Sequence, residues 1–280
     1  MKFVKMHGCG NDYVFVNGIC EEVLHPQEIA VRISDRHFGV GSDGLVVILP
    51  SEQADFRMQM YNADGSEAQM CGNAIRCLAK YVYDTGLTDK TKLTIETKAG
   101  LRSLWLTLSG GKVSEVKVNM GTPVTAAEQI PVIAKNSPVV AEPVAVTGHS
   151  GFMTCVSMGN PHAVFFTEDL ETLDLHTIGP LYERHERFPE RINVEFVKVL
   201  DRQTIQMRVW ERGSGETLAC GTGACAGVYA AILNGYTEDT VLVKLSGGEL
   251  QIEFDRQEQV MYMTGSAVKV FEGEWQNVRN

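Results

Sequence analysis

One fifteen-residue pattern occurs twice in this sequence and constrains the fold more than any other feature. The segment MQMYNADGSEAQMCG at 58–72 returns without a gap as MRVWERGSGETLACG at 207–221. The offset is 149 residues, as for Glu67 and Glu216 within the two segments, and it relates three further pairs outside them: Asn11 and Asn160, Ile29 and Ile178, and Gly86 and Gly235. A constant offset held over most of each half predicts two pseudo-equivalent units that arose by duplication.

The length agrees with this division, since 280 residues correspond to about two domains. Short runs rich in β-branched and aromatic residues alternate with a few helical patterns, which predicts an α/β fold. We predict an N-terminal lobe of residues 1–120 plus 266–280 and a C-terminal lobe of residues 121–265, with an active-site cleft between them. The last strand, after about residue 265, has no counterpart at the end of the first half, so we expect it to complete the first sheet.

Helical periodicity is clearest after each of two repeated cysteines. Ile75, Leu78, Ala79 and Val82 follow the i, i+3, i+4, i+7 spacing, and Gly86 is a suitable stop. The predicted helices are 25–37, 71–86, 169–185 and 220–235. The segment QVMYMTGSAVKVF at 259–271 is predicted to be a single strand.

Charge and composition exclude several classes of function. The net charge of −10 argues against non-specific binding to nucleic acid or to an anionic membrane, because both need a basic face. No apolar run is long enough for a signal peptide or a membrane span, which predicts a soluble, cytoplasmic protein. Seven cysteines, an odd number, are then expected to be reduced thiols rather than a disulfide framework.

Cys71 and Cys220 occupy the same point of the repeat, where a glycine-containing turn leads into a helix. Unpaired backbone N–H groups and the positive end of the helix dipole gather at such a position. That environment lowers a thiol pKa and favours the thiolate. The remaining cysteines outside the early GCG segment are interpreted as small core residues: Cys20, Cys77, Cys155 and Cys225.

Two such thiols suit the inversion of a carbon that bears hydrogen. One thiolate removes the proton on one face, and one thiol supplies a proton on the other. The carbanion next to a carboxylate would be stabilised by N–H donors at the two helix starts. Gly72 and Gly221 allow close approach of the backbone, and Asn73 and Thr222 add short polar side chains.

A metal site is the first alternative for a chain with seven cysteines and seven histidines. However, Cys71 and Cys77 are six residues apart, Cys220 and Cys225 are five apart, and no CxxC pair exists. This spacing disfavours zinc and disulfide exchange. No metal is therefore predicted.

Polar residues at strand ends are candidates for substrate contacts. Asn11, Asn62, Asn160 and Asn193 each suit either a turn or a ligand contact. Arg212, beside Glu211, could hold a carboxylate with two hydrogen bonds. His162 lies opposite Tyr13 in the repeat and is either a ligand contact or a hydrogen-bonded structural histidine.

Five segments together resemble the motif set of the diaminopimelate epimerase family: HGCGNDYVFVN (7–17), NADGSEAQMCGNAIRC (62–77), GNPHAVFF (159–166), RINVEF (191–196) and ERGSGETLACGTGACA (211–226). The resemblance covers the whole chain. It implies two pseudo-symmetric α/β domains, each a mixed sheet wrapped around a central helix. It also implies a cofactor-independent cytoplasmic isomerase, a homodimer, that interconverts LL- and meso-2,6-diaminopimelate for lysine and peptidoglycan synthesis.

Carried over by motif, Cys71 and Cys220 resemble the acid and base of that family. The resemblance assigns substrate contacts to Asn11, Asn62, Gly72, Asn73, Asn160, Asn193, Glu211, Arg212, Gly221 and Thr222. His162 and Glu211 match positions that tune the cysteines. One departure is Gly44, where some members have glutamine, so that one possible contact is missing here.

Two rival functions remain open at this point. A racemase of the same fold could act on proline, hydroxyproline or histidine, although such an enzyme would favour a closed apolar pocket. A thiol-based metal-binding or redox module is the rival from another class, and a purely structural protein gives no reason for matched Cys-Gly helix starts.

Overall fold

The computed structural model describes residues 1–276, so residues 277–280 of the predicted N-terminal lobe lie outside the described residues. Met1–Val118, together with the residues from Gly265 onward, forms one compact unit, here called the N-terminal unit. Asn119–Thr264 forms the C-terminal unit. Among the described residues no helix is long and apolar enough to cross a membrane.

The elements up to Gly121 are two helices and eight strands. They are β1 Lys2–Gly8, β2 Asn11–Asn17, α1 Pro26–Ser34, β3 Gly44–Leu49, β4 Phe56–Asn62, β5 Glu67–Ala68, α2 Gly72–Asp84, β6 Lys92–Thr97, β7 Gly100–Ser109 and β8 Lys112–Gly121. The following elements are β9 Glu142–Val146, β10 His149–Ser157, β11 Pro161–Phe166, α3 Leu175–Glu183, β12 Asn193–Asp201, β13 Thr204–Glu211, β14 Gly215–Thr217, α4 Gly221–Leu233, β15 Thr240–Leu245, β16 Gly248–Asp255, β17 Val260–Ser266 and β18 Val268–Glu274. Single 3₁₀ turns occur at Ala127–Gln129 and Leu170–Thr172.

The two units repeat one pattern of strand pairing. In the N-terminal unit β2 runs parallel to β3, β3 antiparallel to β4, and β4 parallel to β6. In the C-terminal unit β11, β12, β13 and β15 make the same three pairings in the same order. Even the register is conserved, because Tyr13 pairs with Gly44 and His162 pairs with Asn193. Each unit is therefore a mixed sheet built on one plan.

The strand that completes the outer edge of the sheet comes from a different part of the chain in each unit. In the N-terminal unit β1 pairs antiparallel with β2 and with β18. In the C-terminal unit β10 pairs antiparallel with β11 and with β9. The strand β18 follows β17 after a break at Ala267, so the predicted single strand 259–271 is two strands.

The helices α2 and α4 cover the same positions of the repeat and are largely buried. Ile75, Leu78, Ala79 and Val82 are all fully buried, as their spacing predicts. The helix α2 packs against β1, β2 and β7, and α4 packs against strands β10 to β13, β15 and β16. Each unit is thus a sheet wrapped around a central helix.

Both central helices end in the same way. Gly86 and Gly235 have φ of 77° and 73°, a left-handed conformation that glycine adopts at little cost. The next N–H in each case, that of Leu87 or Tyr236, donates to a carbonyl five residues back. This is the Schellman arrangement, which satisfies carbonyls at the end of a helix.

The two outer helices are shorter than predicted. The carboxylate of Asp35 accepts hydrogen bonds from the backbone of His37 and Phe38, which favours a turn over continuation of α1. The predicted helix 169–185 begins as the isolated 3₁₀ turn. It resumes only where Asp174 caps α3 by accepting from the Thr177 N–H at 3.2 Å.

Candidate active site

Cys71 is the N-cap residue of α2, with the extended backbone typical of that position (φ −132°, ψ 123°). Its side chain is half-buried. The sulfur donates to Oδ1 of Asn11 at 3.3 Å. The N-terminal unit therefore has a thiol at a helix start, as predicted, and this thiol is partly accessible to a small molecule.

Three polar side chains of the N-terminal unit gather at Cys71. Nδ2 of Asn73 donates to the same Oδ1 of Asn11, also at 3.3 Å. Tyr13 is buried, and this burial raises the pKa of its phenol well above the ordinary value, with the nearby Cys71 adding to the effect. Tyr13 therefore stays neutral and can only act as a hydrogen-bonding group.

Cys220 is the N-cap residue of α4, and its backbone is also extended (φ −123°, ψ 114°). Its sulfur accepts from the N–H of Gly223 at 3.4 Å and lies 3.4 Å from Oγ1 of Thr222. Burial raises the pKa of this thiol well above its ordinary value, and the carboxylates of Glu211 and Glu195 raise it further. The expected lowering by the helix N-terminus does not prevail here, because desolvation and two nearby negative charges oppose it.

Glu211 ends β13, and its Oε1 accepts from the hydroxyl of Thr217 at 2.5 Å. Burial raises the pKa of Glu211, and the charge of Glu195 adds to the increase. Hydrogen bonds from Thr217 and Cys220 act in the opposite direction. A carboxyl group with a raised pKa beside a thiol is suited to exchanging a proton with it.

His162 is fully buried and lies between two oxygen atoms. Its Nδ1 is 2.7 Å from Oε1 of Glu195, and its Nε2 is 3.0 Å from Oδ1 of Asn160. Nδ2 of Asn160 in turn donates to Oγ1 of Thr222 at 3.3 Å. A chain of hydrogen bonds therefore runs from Glu195 through His162 and Asn160 to the hydroxyl beside Cys220.

Asn193 and Arg212 are joined by a backbone hydrogen bond. The N–H of Arg212 donates to Oδ1 of Asn193 at 2.9 Å, and Nδ2 of Asn193 donates to the carbonyl of Pro161 at 2.8 Å. The guanidinium of Arg212 donates to the carbonyl of Glu190 at 2.9 Å. The Asn193 side chain thus fixes the backbone from which Arg212 projects.

Asn62 lies at the end of β4, where it pairs with Gly44. Its side chain donates to Oγ of Ser66 at 3.0 Å, within the turn that leads to β5. This is the turn-forming role that the sequence left open, and a role in binding a ligand stays a prediction. Gly72 and Gly221 are buried as the first residues of α2 and α4, where backbone N–H groups have no partner within the helix.

The other cysteines divide into buried and exposed positions. Cys77, Cys155 and Cys225 are buried, as predicted for core residues, and burial raises the pKa of Cys77 and of Cys155 to about 12. The prediction for Cys20 is wrong, because its side chain is exposed. It lies in the polar turn after β2, where its sulfur accepts from Nδ2 of Asn17 at 3.4 Å.

Several residues of the two sites were not predicted from the sequence. Glu195 is fully buried, and a charged residue inside the apolar run of β12 is the signal that could have revealed it. Arg76 is fully buried within the apolar face of α2, a similar signal. Asp43 contacts Asn11, but its turn-rich sequence context gives no hint of that role. Within residues 1–276 no group of three or more His, Cys, Asp or Glu side chains is placed to hold a metal ion.

Comparison with known proteins decides the family. The diaminopimelate epimerase family matches residues 3–126 and 154–270 of the chain. The chain belongs to the diaminopimelate epimerase family. A diaminopimelate epimerase of Methanococcus maripaludis strain S2 is 56% identical over 274 residues, which cover 98% of this chain and 99% of the relative. One of Acetivibrio thermocellus is 57% identical over 274 residues, or 98% of each chain.

Solved structures of more distant proteins share the fold. A phenazine biosynthesis protein of the PhzF family from Bacillus anthracis superposes with a TM-score of 0.71 at 19% identity, over 99% of each chain. A hydroxyproline epimerase from Agrobacterium vitis gives a TM-score of 0.67 at 14% identity, over 98% of this chain and 90% of its own. The predicted family resemblance and the predicted two-domain mixed-sheet α/β fold are thus confirmed.

Proposed function

We propose that the protein is a diaminopimelate epimerase that inverts one α-carbon of LL-2,6-diaminopimelate to give the meso isomer. The observation that carries the proposal is the pair Cys71 and Cys220, each the N-cap of a central helix at the same point of the repeat. Relatives that are named for this activity and are more than half identical over nearly the full chain support it. The protein is accordingly an isomerase of the racemase and epimerase class.

In the proposed reaction the thiolate of one cysteine takes the α-proton, so the C–H bond breaks and an S–H bond forms. The electron pair spreads onto the adjacent carboxylate of the substrate. The thiol of the other cysteine then protonates the opposite face and becomes the thiolate. The two proton transfers balance without an oxidant, a metal or a cofactor. At the end of each turnover the two cysteines have exchanged the roles of thiolate and thiol.

The environment of Cys220 suggests its resting role. Its pKa is raised by burial and by two carboxylates, so the side chain holds its proton at neutral pH. Glu211 accepts a hydrogen bond from it, and the His162–Glu195 pair lies behind Asn160. In the resting enzyme Cys220 is thus the proposed acid. Glu211 and the His162–Glu195 pair are proposed to help remove its proton when it acts as the base.

The remaining polar groups are proposed to bind the substrate. Backbone N–H groups at Gly72–Asn73 and Gly221–Thr222 face the charge that develops on the reacting carboxylate. Asn11 and Asn160 flank the thiols through the contacts described above. Arg212, with Asn62 and Asn193, is proposed to read the distant carboxylate and amino group of the substrate.

The division into lobes of residues 1–120 plus 266–280 and residues 121–265 belongs to this proposal, as do a homodimer and a cytoplasmic location. These features stay predictions. Sedimentation of the purified protein checks the homodimer, and fractionation of the cells that produce it checks the location.

Turnover of LL-diaminopimelate in deuterated water tests the proposal. We expect deuterium at one α-carbon of the product and none at the other, with no need for pyridoxal phosphate and no effect of a chelator. Cys71→Ala and Cys220→Ala should each reduce turnover by about 10²–10⁴-fold, the range of general acid–base catalysis. Cys20→Ala is the matched control, because Cys20 is exposed and lies in a turn away from either helix start.

Wild-type turnover in Cys71→Ala would refute the proposed mechanism. A racemase of proline, hydroxyproline or histidine is the alternative substrate assignment. Circular dichroism of diaminopimelate and of each of these amino acids, incubated with the enzyme, separates the two assignments. A change in the signal of another amino acid, with none for diaminopimelate, would identify that amino acid as the substrate.

A further inference from the structure

The amide of Asn11 is oriented with its oxygen toward the sulfur of Cys71. Oδ1 accepts from Sγ of Cys71 and from Nδ2 of Asn73, each at 3.3 Å. Nδ2 of Asn11 points the other way, to Oδ2 of Asp43 at 2.7 Å. Reversing this amide would place an N–H donor, rather than an acceptor, against the thiol.

Asp43 fixes one end of this arrangement because an ionised carboxylate only accepts hydrogen bonds. Its Oδ2 accepts from Asn11 and from the backbone N–H of Asp12 at 3.0 Å. Its Oδ1 is held by the guanidinium of Arg36 at 2.9 Å. With the carboxylate anchored on both oxygens, only the NH₂ end of Asn11 fits against it.

Arg76 fixes the other end because a guanidinium only donates. Its Nη2 donates to Oδ1 of Asn73 at 2.9 Å, which leaves Nδ2 of Asn73 to donate to Asn11. Arg76 is fully buried, and Nη1 and Nε donate to the carbonyls of Gly72 and Ser266 at 3.1 and 3.2 Å. A Cβ at Gly8 would come within 2.7 Å of Nη2, so the glycine makes room for this guanidinium.

The C-terminal unit provides an internal comparison. Asn160 is the counterpart of Asn11. Its oxygen faces His162 and its NH₂ faces Thr222, the counterpart of Asn73, so its amide has the opposite orientation to that of Asn11. The position that matches Asp43 is Ile192, and the position that matches Arg76 is Cys225. The two charged residues that set the orientation of Asn11 are therefore specific to the N-terminal unit.

We propose that Asp43 and Arg76 are positioning residues that hold the Asn11–Asn73 amide pair in one orientation, with an acceptor facing Cys71. An anion at one end and a cation at the other polarise the two amides in the same sense, so each charge by itself favours the observed orientation and the loss of either one weakens it. This fixed orientation, here called the lock, favours the thiol of Cys71 over its thiolate. Cys71 is then protonated in the resting state, as Cys220 is, and one of the two must lose its proton before it can act as the base. Its importance for turnover rests on the proposed role of Cys71.

Alkylation of Cys71 by iodoacetamide, measured against pH by peptide mass spectrometry, tests the lock without measuring turnover. The groups that face Asp43 are Asp12, Arg36, Tyr13 and, through Asp12, Lys5. In Asp43→Asn the new amide accepts either end of Asn11, so a donor can turn to the sulfur and stabilise the thiolate. We expect the midpoint of alkylation to move lower by about one pH unit, the effect of one hydrogen bond to a charged sulfur.

Two variants serve as matched comparisons for Asp43→Asn. Asp55 also binds one cation, Lys90 at 2.6 Å, and one backbone N–H, that of Thr94 at 2.8 Å, but it has no contact with Asn11 among its hydrogen bonds. We expect Asp55→Asn to leave the midpoint of Cys71 unchanged. Asp43→Glu keeps a carboxylate and should restore most of the wild-type midpoint.

Arg76→Met removes the cation at the opposite end and should move the midpoint in the same direction, which keeps the test available if Asp43→Asn fails to fold. An unchanged or higher midpoint in a folded variant overturns the proposal, and so does an equal shift in Asp55→Asn. Failure of the proposed function is a separate outcome, since it would appear as wild-type turnover in Cys71→Ala whatever the alkylation midpoints.

Discussion

Nδ1 of His162 lies 2.7 Å from Oε1 of Glu195, and both side chains are completely buried. Oε2 of Glu195 has no hydrogen-bond partner among the described residues. A buried carboxylate with one oxygen unmatched is costly to keep, so its retention indicates a role beyond packing. Its charge is one of the causes of the raised pKa of Cys220.

We expect Glu195→Gln to ionise Cys220 more easily, because the variant removes a nearby negative charge but keeps the shape. The pH midpoint of Cys220 alkylation should fall by about one unit. Peptide mass spectrometry of alkylated samples measures it. Glu186→Gln, at an exposed position of the same unit, is the control, and an unchanged Cys220 midpoint in Glu195→Gln would contradict the assigned charge effect.

Gly223→Ala should impair both stability and activity. A Cβ at this position would come 2.7 Å from Oε1 of Glu195 and 3.3 Å from Sγ of Cys220. Overpacking of this kind costs about 1–3 kcal/mol, which exceeds the gain of about 1 kcal/mol in helix propensity. Urea unfolding and a turnover assay measure the two effects.

Gly227→Ala is the matched control in the same helix. Its nearest neighbour would be the flexible Sδ of Met207 at 3.2 Å, so its stability should stay within about 1 kcal/mol of wild type. Equal behaviour of the two variants would show that the space beside Glu195 is not what requires Gly223.

Glu183→Gln should weaken substrate binding more than turnover. The buried carboxylate of Glu183 accepts from Nε1 of Trp210 at 2.8 Å and from the N–H of Gly213 at 3.3 Å, and so holds the turn that carries Arg212. The neutral amide weakens these bonds, and we expect KM to rise about tenfold, equivalent to about 1.4 kcal/mol. Steady-state kinetics measure the separate effects on kcat and KM.

Asp174→Ala separates this effect from general loss of α3. It removes the N-cap of the same helix and should cost about 1 kcal/mol of stability. Because the carboxylate of Asp174 accepts from the N–H and the hydroxyl of Thr177 rather than from the turn at Arg212, KM should stay at the wild-type value. A rise of KM in Asp174→Ala as large as in Glu183→Gln would assign the effect to the helix instead.

Glu211→Gln should change how stability depends on pH. The raised pKa of Glu211 means that the folded protein binds its proton more tightly than the unfolded chain does. Between the ordinary and the raised pKa the folded state therefore holds more protons, and wild-type stability falls as pH rises through that window. Glutamine does not titrate, so the variant should gain stability relative to wild type as the pH rises above the ordinary pKa of glutamate, about 4.3.

Urea unfolding across that range measures the difference, and Glu128→Gln at an exposed position is the control. We also expect Glu211→Gln to lose turnover, because the variant can no longer exchange a proton with Cys220. A constant difference in stability at all pH values would show that Glu211 is not protonated preferentially in the folded state.

The repeat made much of the fold predictable. The helix starts at Cys71 and Cys220 were fixed by the paired sequence, the apolar spacing from Ile75 to Val82 and the terminal glycines. Strand pairing across the sheet followed less directly, because period and composition do not name the neighbour of a strand. Some strands carry a weak signal in the sequence. In β8 lysine and glutamate residues obscure the buried positions, and β9 is short and contains Pro143.

The candidate site was predictable where a residue stands at a helix start or strand end, as with Cys71, Asn73 and Asn160. It was not predictable where a charge lies inside the fold. Glu195 is 33 residues from His162, and only the register of the sheet brings the two side chains together. Arg76 is three residues from Asn73, but its position in the sequence does not show that its guanidinium is fully buried.

The pairing of β18 with β1 has a consequence for synthesis on the ribosome. The first strand emerges early, yet its outer hydrogen-bonding edge is completed only by residues 268–274. Throughout translation the nascent protein exposes that edge, which is the kind of surface that recruits other strands. Protection of the young chain by a ribosome-bound chaperone should therefore matter more for this protein than for one whose two halves close in order.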